Sequence, residues 1–208
     1  MINLSSVKNI IFDFGGVLFE IDYQAPIKAF ADLGYNDFAE VFTQASQQPI
    51  IDQYESGLIS DEVFLQFLEA QVPGATREQL LYAWNSILLH IMPEQVSIVE
   101  KLRSIGYRTF LLSNTNAIHV AKFEEMLAEK MNHEKFKSSF EKIYYSNVIQ
   151  LKKPNTEIFL KVCEWNHLIP AETLFIDDSM QHVHGAEKAG LQAYHLKPGE
   201  RLADVFSF

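Results

Sequence analysis

The chain has 208 residues, 48% of them apolar, enough to bury one good hydrophobic core and a smaller second one. Its net charge is −10 and no Lys/Arg cluster interleaves with aromatics, so a nucleic-acid backbone is not an expected partner. The single cysteine, Cys163, excludes an internal disulfide and a Cys-rich zinc site; near Phe159 and Val162 it reads as helix-face packing in a reducing compartment. The polar stretch from Met1 to Asn9 is no secretory signal and no apolar run is long enough to span a bilayer, so a cytoplasmic protein without a membrane partner is expected.

In chain order, the β-branched and apolar run from Val7 to Phe12 predicts a buried, central strand that breaks at Asp13-Phe14-Gly15-Gly16. From Tyr23 to His90 the signals are helical, with no convincing strand. Ser60 with Asp61 and Glu62 starts one helix, on which Phe64, Phe67 and Leu68 are read as core packing ahead of a dimer surface. Pro73-Gly74 breaks it, and Thr76 with Gln79 forms a capping-box pattern ahead of Leu80, Leu81, Trp84, Ile87 and Leu88. Pro93 and Glu94 open the next helix, which places Val99, Leu102 and Ile105 on one face and ends at Gly106. Further strands are expected at Tyr107 to Leu112, Lys142 to Tyr145, Thr173 to Ile176 and Gln192 to Leu196. Between them lie helices carrying Val120, Phe123 and Leu127, then Ile158, Phe159 and Val162, then Val183, Ala186 and Ala189.

That alternation implies an α/β fold, a Rossmann-like parallel sheet with helices on both faces. Residues 1–20 and 91–208 would form this core and residues 21–90 a small helical cap. The insertion leaves after the first strand and returns before the second, which sets it over the carboxyl edge of the sheet, where ligands of such folds bind.

Four strand ends carry candidate chemistry. Asp13 precedes a flexible Gly15-Gly16 pair that lets backbone approach a ligand, and it reads either as a nucleophile or metal ligand or as a turn-forming Asp. Ser113-Asn114-Thr115 at a helix entrance suits a phosphate, or serves as ordinary turn and N-cap residues. Lys153, before Pro154, could neutralise a phosphate as a point charge, with Lys152 as a competitor. Asp177-Asp178 at a strand end calls for a cation if desolvated, and magnesium is the natural one; the alternative is an N-cap plus a first-turn acid. His182 and His184, two apart on a helix, point apart and do not make a metal pair.

The order of these segments resembles the haloacid dehalogenase-like hydrolases, whose four motifs span nearly the whole chain. They stand here as Ile10-Ile11-Phe12-Asp13-Phe14-Gly15-Gly16-Val17-Leu18, Leu111-Leu112-Ser113-Asn114, Lys153-Pro154 and Phe175-Ile176-Asp177-Asp178. Within that family the Ser-Asn-Thr-Asn and Lys-Lys-Pro segments, with Tyr54-Glu55-Ser56-Gly57 in the insertion, are similar to the sugar-phosphate phosphatases of the α-D-glucose-1-phosphate phosphatase type. The resemblance implies a Mg2+-dependent phosphatase acting on a small phosphorylated metabolite, as monomer or homodimer. Asp13 would be the nucleophile, passing through an aspartyl-phosphate. Ser113, Asn114 and Lys153 would hold the phosphate oxygens. Asp13, the backbone carbonyl of Gly15 and Asp178 would ligate the metal, with Asp177 beside them or supporting them.

One position departs from the family pattern. Its phosphatases usually carry a second Asp two residues after the nucleophile as general acid and base, and here Gly15 stands there. Proton transfer therefore has no evident owner. His182, four residues after Asp178, replaces the usual Asp or Asn and could either loosen the metal site or take over the same contacts. Two other readings remain open at this point: a metal-free 2-haloacid dehalogenase, which also lacks the second Asp, and a non-catalytic module that binds a phosphorylated ligand or a protein.

Overall fold

The computed structural model describes residues 4–42 and 49–206; Met1 of the polar N-terminus and part of the insertion lie outside the described residues. The chain runs β1 (Asn9–Phe12), β2 (Phe19–Ile21), α1 (Gln24–Asp32), α2 (Phe38–Val41), α3 (Pro49–Glu55), α4 (Asp61–Gln71), α5 (Arg77–Asn85), β3 (Leu88–Ile91) and α6 (Pro93–Ser104). It continues through β4 (Arg108–Ser113), α7 (Ala117–Lys130), α8 (His133–Ser138), β5 (Lys142–Tyr145), α9 (Ser146–Ile149), α10 (Thr156–Trp165), β6 (Thr173–Asp177), α11 (Met180–Lys188), β7 (Gln192–His195) and α12 (Leu202–Val205).

Five strands form one parallel sheet in the order β5-β4-β1-β6-β7, with β1 at its centre. The period-2 rule distributes its side chains. Ile10, Phe12, Leu111, Leu174 and Ile176 face one core, together with Val99 and Leu102 of α6 and Phe123 of α7. Ile11, Phe110, Leu112 and Phe175 face the other, against Ile158, Phe159, Val162 and Cys163 of α10 and Ala186 of α11. Both faces of the sheet are therefore covered, which is why its strands read as unbroken apolar runs. Cys163 is buried there, and burial pushes its thiol up to about 11, so it packs and does not react.

The helices between β2 and β3 enclose a separate cluster built on Phe30, Phe38, Tyr54, Phe64, Leu68 and Trp84. Phe64 and Leu68 are fully buried, so they are core and not an exposed dimer face. Ser60 caps α4 by accepting from Val63 N, and Thr76 and Gln79 complete a reciprocal capping box on α5. Two expectations are corrected. The helical reading does not run on through Ile87 and Leu88, because α5 ends at Asn85 and Leu88–Ile91 pairs antiparallel with Phe19–Ile21. That strand escapes notice because its partner lies far back in the chain and its own apolar residues prolong a helical pattern. Ile105 is not on the buried face of α6 but 58% exposed, since it falls past the last helical turn.

A buried polar network joins α5 to α7. Asn116 caps α7, its Oδ1 accepting from His119 N at 3.0 Å and from Trp84 Nε1 at 3.3 Å, while its Nδ2 donates to His119 Nδ1 at 2.9 Å. His119 Nε2–H then donates to the Trp84 carbonyl at 3.1 Å, and the two rings stack. Burial pushes His119 down to about 4, against the pull of that carbonyl. The unfolded chain takes up a proton near pH 6.5 that the folded one refuses, so this stabilisation is complete above pH 6.5 and is lost as the pH falls towards 4. We expect denaturant unfolding at pH 4.5 to show a loss of about 3 kcal/mol from this one group. In a His119→Phe variant the difference in stability between pH 7 and pH 4.5 should shrink by that amount; an unchanged pH slope would remove His119 as its source.

Candidate active site

Parallel register brings the candidate residues to one edge. Phe12 of β1 aligns with Leu111 of β4 and Ile176 of β6, so Asp13, Ser113 and Asp177 emerge together at the carboxyl ends of adjacent strands. Lys153, on the loop between α9 and α10, enters from beside them. Its side chain is fully buried, and its Nζ donates to Asp13 Oδ1 at 2.7 Å and to Asp177 Oδ2 at 2.7 Å. Burial alone would discharge this lysine, but the two carboxylates outweigh it and keep it firmly protonated.

The acids are not equivalent. Burial first, then Asp177, push Asp13 up to about 6, against Lys153 and His182. Burial also opposes the charge on Asp177, yet Lys153 and His182 prevail and hold its carboxyl below the usual range. Asp177 spends its oxygens inside the fold: besides Lys153 it accepts from Ser179 N at 2.7 Å and lies 3.0 Å from His182 Nδ1. His182 is thus a partner of the acid pair, while His184 two residues on is exposed. Asp178 is half-buried and turned towards the glycine turn after β1.

Asp13, Asp177 and Asp178 each offer an oxygen within 4.8 Å of the others, a donor set suited to a hard divalent cation such as magnesium. The turn supports that fit. Gly16 has φ +72°, and a Cβ there would overlap the Asp178 carboxylate. Gly16→Ala should therefore strain the turn and displace Asp178; we expect calorimetric titration to show magnesium affinity at least about tenfold weaker. Unchanged affinity would mean that Asp178 is not a ligand.

Ser113 is buried at the end of β4, with its hydroxyl 3.4 Å from the Asn114 carbonyl. Asn114 does something the sequence did not suggest. Its Nδ2 donates to the Lys153 carbonyl at 2.9 Å and its Oδ1 accepts from Lys153 N at 3.0 Å, so its amide clamps the backbone of the lysine. Close packing of α11 on the same loop adds to this, for Gly185 leaves room for the Pro154 carbonyl where any side chain would collide.

Lys152 does not compete with Lys153. It pairs with Asp52 at 3.0 Å and Glu55 at 2.6 Å, on α3. Nearby, Ser146 Oγ donates to the Glu55 carbonyl at 2.6 Å, and Gly57, at φ +66°, packs directly on the Asn147 carbonyl. Tyr23 also went unnoticed in the sequence. It stands between β2 and α1 on the wall of a cavity of about 470 Å3 that also touches Gly16 and Asp178.

Residues 10–195 match the family model for haloacid dehalogenase-like hydrolases. The chain is 31% identical to a D-ribitol-5-phosphate phosphatase of Bacteroides thetaiotaomicron over 93% of both proteins. It is 25% identical to a sesquiterpene phosphatase of Aspergillus oryzae over 92% of this chain and 91% of that one. A HAD family enzyme of Bacteroides thetaiotaomicron, solved as a mutant in complex with magnesium and inorganic phosphate, superposes with a TM-score of 0.87 at 32% identity, covering 97% of this chain and 100% of that one. An α/β sheet with its acids, lysine and serine at the carboxyl edge, matched over its length in this way, belongs to the haloacid dehalogenase-like hydrolase family, on its phosphatase branch.

Proposed function

We propose that this hydrolase removes phosphate from a small sugar or sugar-alcohol phosphate by way of an aspartyl-phosphate on Asp13. The class of reaction is phosphomonoester hydrolysis with Mg2+. The observation that carries the reading is the fully buried Lys153 held between Asp13 and Asp177, with Asp178 alongside. A carboxylate so placed keeps one oxygen on the lysine and presents the other for in-line attack on phosphorus. The relative named for D-ribitol-5-phosphate supports the substrate class.

In this reading Asp13, Asp178 and the Gly15 carbonyl hold magnesium, whose charge offsets that of the phosphate oxygens. Asp177 orients Lys153 and the turn at Ser179. Lys153 and the Ser113 hydroxyl receive the non-bridging oxygens, and Asn114 acts through the loop it clamps. Residues 21–90 form the cap that shapes the leaving-group side and limits water, while 1–20 and 91–208 form the catalytic core. Lys152 with Asp52 and Glu55 then ties cap to core. Among the described residues no helix is long and apolar enough to cross a membrane.

The test is phosphate release from a panel that includes pentitol 5-phosphates, hexose 1- and 6-phosphates and p-nitrophenyl phosphate, with magnesium or with chelator. Turnover should need magnesium and favour a sugar or polyol ester, and acid quenching should trap phosphate on the protein. Release that survives chelation would sink the metal-dependent reading; halide release from a 2-haloacid would replace it.

A further inference from the structure

Resting on that reading, we propose that Tyr23 is the group that meets the leaving oxygen of the ester, a task for which Gly15 leaves no side chain. In-line attack from Asp13 expels the leaving oxygen on the side of phosphorus away from the strand end, so its partner must come from residues that face the acid cluster from outside the sheet. Besides Tyr23, the side-chain donors on the cavity that reaches Asp178 are Gln95, Lys197 and Arg201, all on the side of the C-terminal segment and α6. In that reading Lys153 serves the non-bridging oxygens, while His182 is held by Asp177, Lys152 by Asp52 and Glu55, and Arg201 by Asp204.

Tyr23 meets the requirement. It leads from the β2–β3 ribbon into α1, its ring is braced by Phe42 at a centroid distance of 5.9 Å, and it lines the cavity that reaches Gly16 and Asp178. Its side chain shares that cavity wall with Asp178, one of the three acids of the cluster. A tyrosine hydroxyl is protonated at neutral pH and serves here as a hydrogen-bond donor.

The exchange balances without a proton from Tyr23. The Asp13 oxygen–phosphorus bond forms, the ester oxygen–phosphorus bond breaks, and the electron pair stays on the leaving oxygen while Tyr23 O–H stabilises it. A water molecule supplies the proton that makes the alcohol, and its hydroxide opens the Asp13–phosphate bond, which returns the carboxylate and releases phosphate.

A hydrogen bond to a developing alkoxide matters for a poor leaving group and little for a good one. We expect Tyr23→Phe to lower kcat on sugar or polyol phosphates about tenfold to a hundredfold, with KM nearly unchanged, and to leave turnover of p-nitrophenyl phosphate within about twofold. The aryl ester serves as the check on folding, and Tyr23→His, which restores a donor, should recover part of the loss. Equal losses on both esters, or no loss on either, would overturn the assignment to the leaving oxygen; a rise in KM alone would make Tyr23 a binding residue only. Should wild type hydrolyse neither ester, the phosphatase reading itself fails and takes this one with it.

Discussion

Asp13→Asn is expected to abolish phosphate release, by at least about four orders of magnitude, while leaving a folded protein. An amide at this position can accept from Lys153 as the carboxylate does at 2.7 Å, so the strand end is preserved. It is a far weaker nucleophile, however, and no phosphoryl-enzyme can accumulate. The fold should tolerate the change because burial and Asp177 already disfavour the charge, raising Asp13 to about 6. Removing a charge that the folded state resists offsets much of the lost ion pair. Turnover, acid-quench trapping and thermal melting of the one variant test both halves of this expectation. Measurable phosphoryl-enzyme in Asp13→Asn would move the nucleophile elsewhere.

Lys153→Met carries the second large effect, and it falls on stability as well as activity. The lysine side chain is fully buried against two buried carboxylates. Methionine fills the volume but leaves Asp13 and Asp177 facing each other without their cation. Breaking a buried pair by removing one partner costs about 3–5 kcal/mol, because the remaining charge stays desolvated. Denaturant unfolding in chelator should show that loss, and magnesium, which neutralises the same acids, should restore part of it by mass action. Phosphate release should fall at least about a hundredfold even in saturating magnesium, since the non-bridging oxygens lose a charged donor. Lys152→Met, which cuts the ties to Asp52 and Glu55, should be much milder at the chemical step. Equal defects in the two variants would show that burial of Lys153 is structural and not catalytic.

What sequence by itself determined about this protein was the set of local and strongly periodic features. The buried strands and their alternation with helices were legible because a strand covered on both faces must be apolar throughout, as Ile10, Ile11 and Phe12 are. Caps at Ser60 and Thr76 were legible because a cap is a contact between residues three apart. The acids and the lysine could be placed on one edge because each follows a strand or opens a helix in a parallel sheet. Only the tertiary structure decided what joins residues distant in the chain. Pairing of Leu88–Ile91 with Phe19–Ile21 is of that kind, and so is the clamp of Asn114 on Lys153, 39 residues apart. Choosing Lys153 over Lys152 required burial, since adjacent lysines are alike in sequence and differ only in which carboxylates the fold brings to them. Tyr23 had no local signature at all: it meets Asp178 across one cavity, a proximity that no spacing along the chain encodes.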